Sequence, residues 1–286
     1  MRGARPFAAL EAAVARTVAP RRGETLVAAV SGGPDSVALA GLLAPAARAA
    51  GATLVLAHVN AGLRPSAWQD EAVTLSVGAA LSARVVAVSL APGGADEARL
   101  RGERYAALAG IARASSASRI FTAHHAADQS ETVLLALLRG TGPGGLGGMS
   151  VERELEPGLH LVRPLLRHEP ADLAAYAAAL HLPHAADPSN ADLDYRRNAV
   201  RAALARLRPA FPHLDAAVAR CATILRDERA GDARAGLRSE LRAAIAVASG
   251  DARDVSFERL DAAAQALERG TNGRHYLRRG VELIVE

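Results

Sequence analysis

The sequence contains no lysine, a single cysteine and very few aromatic residues. All 34 basic residues are therefore arginines, and aromatic residues make up only 3% of the 286-residue chain. The one cysteine, Cys221, excludes a disulfide framework and any metal or iron–sulfur site built from several cysteine ligands. The absence of lysine excludes the common phosphate loop GxxxxGK[ST], which requires that side chain.

Long apolar runs are absent as well. No uninterrupted stretch reaches about 18 apolar residues, and the N-terminal segment MRGARPFAALEAAVART has neither an apolar core nor a cleavage signal. We therefore expect no membrane association and a cytoplasmic location. The chain is instead rich in alanine, leucine and valine, and its 50% of hydrophobic residues is enough for a large core.

The stretch from Thr25 to Ser36, TLVAAVSGGPDS, predicts a buried strand, a tight turn and the start of a helix. Gly32 and Gly33 allow the backbone to approach a ligand closely, and the N–H groups at a helix start favour an anion such as phosphate. An ordinary strand-to-helix turn capped by Ser31 or Asp35 would have the same pattern. A carboxylate and two hydroxyls within the turn favour the interpretation as a site for a metal–nucleotide complex.

Continuous apolar strands alternate with helices over the first half of the chain. Strands are expected at 25–30, 53–59, 84–90 and 119–123, and a further strand at 161–166. The helix after the first strand is expected to run to about Ala50, with a kink or break at Pro45 and an end at Gly51. This order predicts an α/β fold with a doubly wound, mostly parallel sheet that is covered on both faces. Ligands bind at the carboxyl ends of the strands in such sheets. The polar residues expected there, after strands one, two and four, are Ser31, Gly32, Gly33, Pro34, Asp35 and Ser36; His58 and Asn60; and His124 and His125.

Two later segments differ in composition from the alternating part. Residues 140–148, GTGPGGLGG, are expected to form a mobile loop that covers substrate, although a passive linker would have the same composition. Residues 194–229 hold eight arginines and four acidic residues. A solvated helix face or a surface for a phosphate backbone would both explain this excess. We expect a sheet domain at 1–212 and a small helical C-terminal module at 213–286.

The turn SGGPDS resembles the PP-motif of the N-type ATP pyrophosphatases, and the chain up to about Pro212 is similar to the tRNA(Ile)-lysidine synthetases within that group. The matching stretches are Ser31–Ser36; His58–Arg64; Arg101-x-x-Arg104-Tyr105; Ala123–Thr132 with Arg139–Gly142; and Arg163–Leu166 followed by Asp187–Asn190, Tyr195–Asn198 and Arg201. Two positions differ from the family pattern, because Ala61 replaces a histidine and Ala127 an aspartate. The resemblance implies an adenine nucleotide α-hydrolase-like catalytic domain at 1–212 and a tRNA-contacting domain at 213–286.

The same resemblance implies an activity, in which free L-lysine is ligated onto the wobble cytidine of tRNA(Ile) with a CAU anticodon. The O2 atom of the base would attack the α-phosphate of ATP, and the ε-amine of lysine would then displace AMP. ATP and Mg²⁺ are the implied cofactors, with Asp35 as the metal ligand, and a homodimer is left open. The implied catalytic residues are Asp35, Asp128, Glu131, Arg101 and Arg104, and the implied tRNA-binding residues are Arg196, Arg197, Asn198 and Arg201.

Other interpretations of these residues stay open. Asp128 and Glu131 lie three positions apart on one helix face, where they could bind the ammonium of lysine, although surface charges have the same spacing. The histidine pair is not expected to bind a metal, since no cysteine or further carboxylate completes a ligand set. A related tRNA-thiolating enzyme is an alternative function, against which the single cysteine argues. A non-catalytic nucleotide-binding module is another, and it would not need the glycine-rich loop or the basic extension.

Overall fold

The computed structural model describes residues 6–62, 67–91, 97–185, 196–230, 233–249, 255, 257–278 and 280–285. The chain divides into two compact units. The first consists of residues Met1–Glu131 and Met149–Ala216, and the second consists of Thr132–Gly148 and Ala217–Glu286. Several residues of the family resemblance lie outside the described part of the chain, namely Leu63, Arg64, Asp187, Pro188, Ser189, Asn190 and Tyr195.

The first unit is built on a six-stranded sheet. Its strands are β1 (Thr25–Ala29), β2 (Thr53–Asn60), β3 (Arg84–Ser89), β4 (Arg119–Phe121), β5 (Glu152–Glu156) and β6 (Leu159–Val162). Their order across the sheet is β3-β2-β1-β4-β6-β5. All neighbouring strands are parallel except β5, which pairs antiparallel with β6. The predicted doubly wound, mostly parallel sheet is confirmed.

Helices cover both faces of this sheet, which explains why its strands are apolar on both sides. The helices of the first unit are α1 (Ala8–Val18), α2 (Pro34–Ala50), α3 (Ala67–Leu81), α4 (Glu97–Ala114), the first residues of α5 (Ala126–Leu138), α7 (Pro170–Ala179) and α8 (Arg196–Leu207). Leu26 and Ala28 of β1 pack with α1, α2, α3 and α7 in one cluster. Val27, between them, packs with α4 in another cluster on the opposite face.

Helix α2 continues through Pro45, where the sequence predicts a kink or break. Proline has no N–H group, so the carbonyl of Gly41, four residues earlier, loses its helical hydrogen bond. The buried Tyr176 of α7 replaces that donor, since its hydroxyl lies 3.2 Å from the Gly41 oxygen. A Cβ on Gly41 would come within 2.6 Å of Leu180, so glycine permits this close approach. The helix ends as predicted at Gly51, in a left-handed conformation with φ 68°.

The hairpin of β5 and β6 is absent from the sequence-based prediction, which placed a single strand at 161–166. Strand β5 carries three glutamates in five residues, a composition that hides a strand, and it forms the edge of the sheet. Its Leu155 nevertheless packs into the cluster under α4. The turn between the strands contains Pro157 and Gly158, with φ 75° at the glycine. This Pro-Gly pair was the available signal for the hairpin.

The second unit consists of the end of α5, the short helix α6 (Pro143–Leu146), most of α9 (Leu214–Ala230), α10 (Ala233–Ser249), α11 (Phe257–Arg269) and the hairpin β7 (Gly273–Arg278) and β8 (Val281–Val285). Its core is a separate apolar cluster around Ile245 and Leu260. Arg238 bridges Asp227 and Asp261 at 2.7 and 2.5 Å. The glycine-rich segment 140–148, predicted to form a mobile loop, contains the single helical turn of α6; its role in covering substrate stays a prediction. No helix in the described ranges is long and apolar enough to cross a membrane.

Candidate active site at the carboxyl edge of the sheet

The turn after β1 lies where the strand order reverses, between β1 and β4. Gly32 adopts φ 89°, and a Cβ there would lie 3.0 Å from the backbone of Asp70. Glycine is thus required both by conformation and by space. The Ser36 hydroxyl accepts a hydrogen bond from the Ser31 backbone N–H at 3.2 Å and donates to the Gly33 carbonyl at 2.8 Å. The predicted turn is therefore preorganised, with Pro34 and Asp35 in the first turn of α2.

His58 and Asn60, predicted to bind nucleotide, lie at the end of β2. The His58 ring is buried, and its Nδ1 lies 2.9 Å from the Val30 carbonyl and 3.4 Å from the Thr74 hydroxyl. These contacts support the end of β1 just before the turn. The Asn60 side chain accepts a hydrogen bond from the Gly62 N–H at 2.9 Å. Direct contact of either residue with a nucleotide stays a prediction.

Two histidines follow β4 and have opposite electrostatic surroundings. Burial lowers the pKa of His124 to about 4, and the charges of Arg163, Arg197 and Arg101 lower it against the opposing effect of Asp128. Its Nδ1 is 2.9 Å from the Thr122 hydroxyl. His124 is consequently a neutral imidazole at neutral pH.

His125 lies between the carboxylates of Asp35 and Asp128. Its Nε2 is 3.4 Å from Asp35 and its Nδ1 is 3.6 Å from Asp128. Burial opposes protonation, but the hydrogen bond to Asp35 and the charges of Asp128, Asp35 and Glu131 raise the pKa of His125 above its ordinary value. The sequence prediction noted this histidine at the strand end but did not include it among the site residues. Through these two contacts, His125 links Asp35, which directly follows the glycine turn (Ser31–Pro34), to Asp128 at the start of α5.

Asp128 has two roles at the start of α5. It accepts a hydrogen bond from the His125 backbone N–H at 3.0 Å, an arrangement typical of a helix N-terminal capping residue. Burial raises its pKa, but His125, His124, this backbone hydrogen bond and Arg197 together lower it below the usual value. The Asp128 carboxylate is therefore ionised, and its Oδ1 lies 3.1 Å from Arg197.

Glu131 is the centre of an ion-pair cluster with helix α8. Its carboxylate side chain is 3% exposed and lies 2.7 Å from the Nε atoms of both Arg197 and Arg201. Arg201 also donates to the Asn198 side-chain oxygen at 3.3 Å. The structure thus brings together the predicted acidic pair and three of the predicted tRNA-binding residues. The fourth, Arg196, is exposed at the start of α8.

The predicted arginines of α4 are both exposed. The Arg101 guanidinium carbon lies 5.6 Å from the ring centroid of Tyr105, one turn further along the helix. Arg163, which follows β6 directly, is almost completely buried and donates to the Ser150 carbonyl at 2.9 Å. Arginines from two elements therefore reach the same edge of the sheet as the glycine turn.

Among the described site residues, Asp35 offers a carboxylate for a divalent cation and is 38% exposed. No group of three or more histidine, cysteine, aspartate or glutamate side chains suited to a metal occurs among the described residues. Mg²⁺ commonly binds to one or two carboxylates and takes its other oxygens from substrate phosphates and water. The residues present therefore fit a nucleotide-bound Mg²⁺ and do not form a complete protein-only metal site.

A doubly wound α/β protein with a preorganised glycine turn at the point of strand-order reversal belongs to the class whose ligands bind in that crevice. The model of one family, described as the PP-loop domain, matches residues 7–207. The chain belongs to the PP-loop family.

Curated relatives share the name tRNA(Ile)-lysidine synthase. The Ralstonia nicotianae protein is 42% identical over 212 residues, which cover 72% of this chain and 46% of that protein. The Gloeobacter violaceus protein is 40% identical over 212 residues and 64% of its length, and the Bordetella pertussis protein 43% identical over 204 residues and 63% of its length. The aligned part thus spans 46–64% of the length of these three relatives.

A solved structure has the same fold. It is the U34-tRNA thiolase NcsA from Methanococcus maripaludis with its [4Fe-4S] cluster, which superposes with a TM-score of 0.64 over 74% of this chain and 76% of that one. The sequence identity is 15%, so the likeness concerns the fold alone.

Proposed function

We propose that this chain ligates lysine onto the wobble cytidine of a tRNA(Ile) with a CAU anticodon, with cleavage of ATP to AMP and pyrophosphate. The observation that carries the proposal is the 40–43% identity to relatives named tRNA(Ile)-lysidine synthase, together with the assembly of the motif residues at one edge of the sheet. The product would be lysidine, and the partners would be ATP, Mg²⁺, free lysine and the tRNA.

The glycine turn would hold the phosphates of ATP. The backbone N–H groups at the start of α2 and the positive end of its dipole favour negative charge at this position. Asp35, in the first turn, would hold Mg²⁺, which neutralises charge on the phosphates during attack by the base. Because Asp35 also contacts His125, that histidine orients the carboxylate and limits its net negative charge.

The acidic pair divides into two tasks in this proposal. Asp128 is the more exposed carboxylate, at 17% against 3% for Glu131. Asp128 is therefore the better placed of the two to accept the ammonium of lysine and then its proton. Glu131 interacts with two guanidiniums and would keep α8 next to α5. The exposed Arg196, at the start of α8, is left to contact the tRNA backbone.

A related tRNA thiolation is the runner-up. This chain shares the fold of the thiolase structure. Its sequence, however, holds only one cysteine, Cys221, which is exposed in the second unit. Iron–sulfur clusters are held by several cysteine thiolates, so this chain alone could not hold such a cluster.

The direct test is incorporation of labelled lysine. The full chain is incubated with ATP, Mg²⁺, radiolabelled lysine and either tRNA(Ile) with a CAU anticodon or tRNA(Met), which has the same anticodon. We expect label and pyrophosphate with the first tRNA only. Label in neither tRNA would reject the proposed reaction, and equal label in both would reject the proposed specificity.

A further inference from the structure

Three guanidinium groups gather around one tyrosine in the first unit. The Arg101 and Arg153 guanidinium carbons lie 5.6 and 5.5 Å from the ring centroid of Tyr105. The third guanidinium is that of Arg163, which interacts with Tyr105. Burial lowers the pKa of Arg163, the charges of Arg153 and Arg101 lower this pKa further, and the interaction with Tyr105 raises it. We call Arg101, Arg153, Arg163 and Tyr105 the arginine–tyrosine cluster.

The topology places this cluster at the edge of the sheet that carries the glycine turn. Helix α4 follows β3, so its first turns, with Arg101 and Tyr105, lie at the carboxyl end of the parallel strands. Arg163 follows the carboxyl end of β6 directly. Strand β5 runs antiparallel to β6, and its Arg153 pairs with Leu161, next to the carboxyl end of β6. Charges of Arg163 and Arg101 also reach His124, which follows β4.

Among the described residues, no carboxylate pairs with the positive charges of the cluster. Within the described part of the chain, neither Arg101, Arg153 nor Arg163 forms a salt bridge. The glutamates of β5 are engaged elsewhere: Glu152 pairs with His160, Glu154 accepts the Gly158 N–H, and Glu156 pairs with Arg113. Like charges held close together raise the energy of the ligand-free protein.

The innermost arginine also has an unused hydrogen-bond donor. Arg163 is 2% exposed, and its Nε is buried without a hydrogen-bond partner. Buried donors in native proteins are normally satisfied, so an unpaired one indicates a missing partner. Guanidinium groups bind phosphate oxygens through two parallel hydrogen bonds, and this binding geometry favours arginine over other side chains.

We propose that the arginine–tyrosine cluster binds a phosphate group of a substrate, with Arg153 as a binding residue that the sequence motifs do not contain. A dianionic or monoanionic phosphate would offset the repulsion among the guanidiniums. Two sources have this chemistry: the pyrophosphate portion of a nucleotide and the phosphodiester backbone of an RNA. Tyr105 would keep the Arg101 and Arg153 planes in place through cation–π contacts.

The test compares Arg153→Gln with Arg113→Gln. Both changes remove one arginine charge from the region of α4 and β5, but Arg113 is already paired with Glu156. Affinities are measured by calorimetry for pyrophosphate, for ATP and for a tRNA anticodon stem-loop, with the RNA titrated at several salt concentrations. No lysine is added, so the result does not depend on whether the proposed ligation occurs.

We expect Arg153→Gln to weaken one of the two ligand classes roughly ten-fold, as loss of a charge-assisted hydrogen bond predicts, and Arg113→Gln to change neither. Weaker binding of pyrophosphate and ATP would identify a nucleotide phosphate. Weaker binding of RNA, with a salt slope reduced by about one, would identify a backbone phosphate. Arg153→Lys should lose less affinity than Arg153→Gln.

Equal affinities of Arg153→Gln and Arg113→Gln for all three ligands would overturn the proposal. Arg153 is exposed, so the variant is expected to fold, and its thermal unfolding is compared with that of the wild type. Should it unfold early, Arg101→Gln gives a second measurement from a different element, and unchanged affinities there would overturn the proposal equally.

Discussion

Single residues in the first unit compensate for local sequence features that would otherwise break the fold. Pro45 removes a helical donor from α2, and Tyr176 supplies another from α7 to the same carbonyl. The need for that hydroxyl cannot be recognised from the sequence around either residue, because they lie more than 130 positions apart. The compensation depends on the third residue, Gly41, which lets α7 approach.

Tyr176→Phe should reduce the free energy of unfolding by about 1–3 kcal/mol, since it leaves the buried Gly41 carbonyl without a donor. Chemical denaturation measures the change. Tyr276→Phe is the matched control, because Tyr276 is 69% exposed and its loss of a hydroxyl should change stability by less than about 0.5 kcal/mol. Equal effects of the two substitutions would contradict the assigned hydrogen bond.

Asp35→Ala should abolish pyrophosphate release from ATP without unfolding the protein. The carboxylate is partly exposed in the first turn of α2, so its removal costs little stability, whereas the proposed Mg²⁺ ligand is lost. We expect a drop of about 100-fold or more in the rate, the size typical for loss of one electrostatic contact in a transition state. Asp172→Ala, in the exposed first turn of α7, is the control. A fully active Asp35→Ala protein would remove Asp35 from the mechanism.

His124 should make stability depend on pH. Its pKa is lowered from 6.5 to about 4 in the folded chain, so between these values the unfolded chain binds a proton that the folded chain does not. The stabilising contribution is complete above about pH 6.5 and is lost as the pH falls towards 4. His124→Asn should make this loss of stability smaller, by at most about 3 kcal/mol. Urea unfolding across that pH range measures the free energy of unfolding of both proteins.

The neighbouring His125 has a pH effect of the opposite sign. Its pKa is raised, so its contribution is present below about pH 6.5 and is lost as the pH rises through the folded pKa. Because His125 is retained in both proteins, the difference between wild type and His124→Asn isolates His124. Stability curves that run parallel from pH 6.5 to 4 would contradict the neutral, desolvated state of His124.

At the scale of the elements, helix α8 shows which contacts a local sequence pattern cannot predict. Its arginines read from the sequence as a charged face for solvent or RNA, and two of them instead pair with the carboxylate of Glu131, about 70 positions earlier. Charge counts along one helix cannot reveal such a partner. The strands β1 to β4 were predicted within one or two residues because each has a continuous apolar run. The strand β5 was missed because an edge strand can be charged.

Glu131→Gln should weaken the attachment of α8 to α5. The substitution keeps the shape of the side chain but removes the negative charge that Arg197 and Arg201 share, while Arg197 keeps its contact with Asp128. Breaking a buried ion pair typically costs about 3–5 kcal/mol. Both arginines are partly exposed, at 25 and 35%, so we expect about 3 kcal/mol or less. Hydrogen exchange should show weaker amide protection in residues 196–207.

The control for this element is Arg206→Gln, an exposed charge on the same helix. It removes one charge from α8 without touching Glu131, so amide protection should stay as in the wild type. If the amides of α8 exchange equally in the wild type and Glu131→Gln, the ion-pair cluster does not hold the helix.

At the scale of the whole molecule, the order of motifs was enough to predict the fold and the edge of the sheet at which the motif residues gather. The glycine turn follows β1, whereas the histidine pair and the acidic pair both follow β4, and a parallel sheet brings strand ends together. The internal geometry of the site was not predictable in the same way. The bridging position of His125 and the cluster around Tyr105 depend on side chains from elements far apart in the chain, whose contacts leave no periodic signal.

The two units have separate apolar cores, so they should unfold in two steps. Leu39 is completely buried and belongs to an apolar cluster of the first unit. Leu260 is 1% exposed and belongs to the apolar cluster of the second unit. Leu39→Ala should lower the free energy of unfolding of the first unit only, and Leu260→Ala that of the second unit only, each by about 2–5 kcal/mol. Differential scanning calorimetry separates the two steps.

Addition of ATP assigns the steps independently of any substitution. A ligand stabilises the part of a protein to which it binds, by about 2.7 kcal/mol at one hundred times its dissociation constant. The residues of the proposed nucleotide site belong to the first unit, so ATP should raise the transition that Leu39→Ala lowers and leave the other in place. A single transition that both substitutions lower and ATP raises would show that the two cores unfold as one cooperative structure.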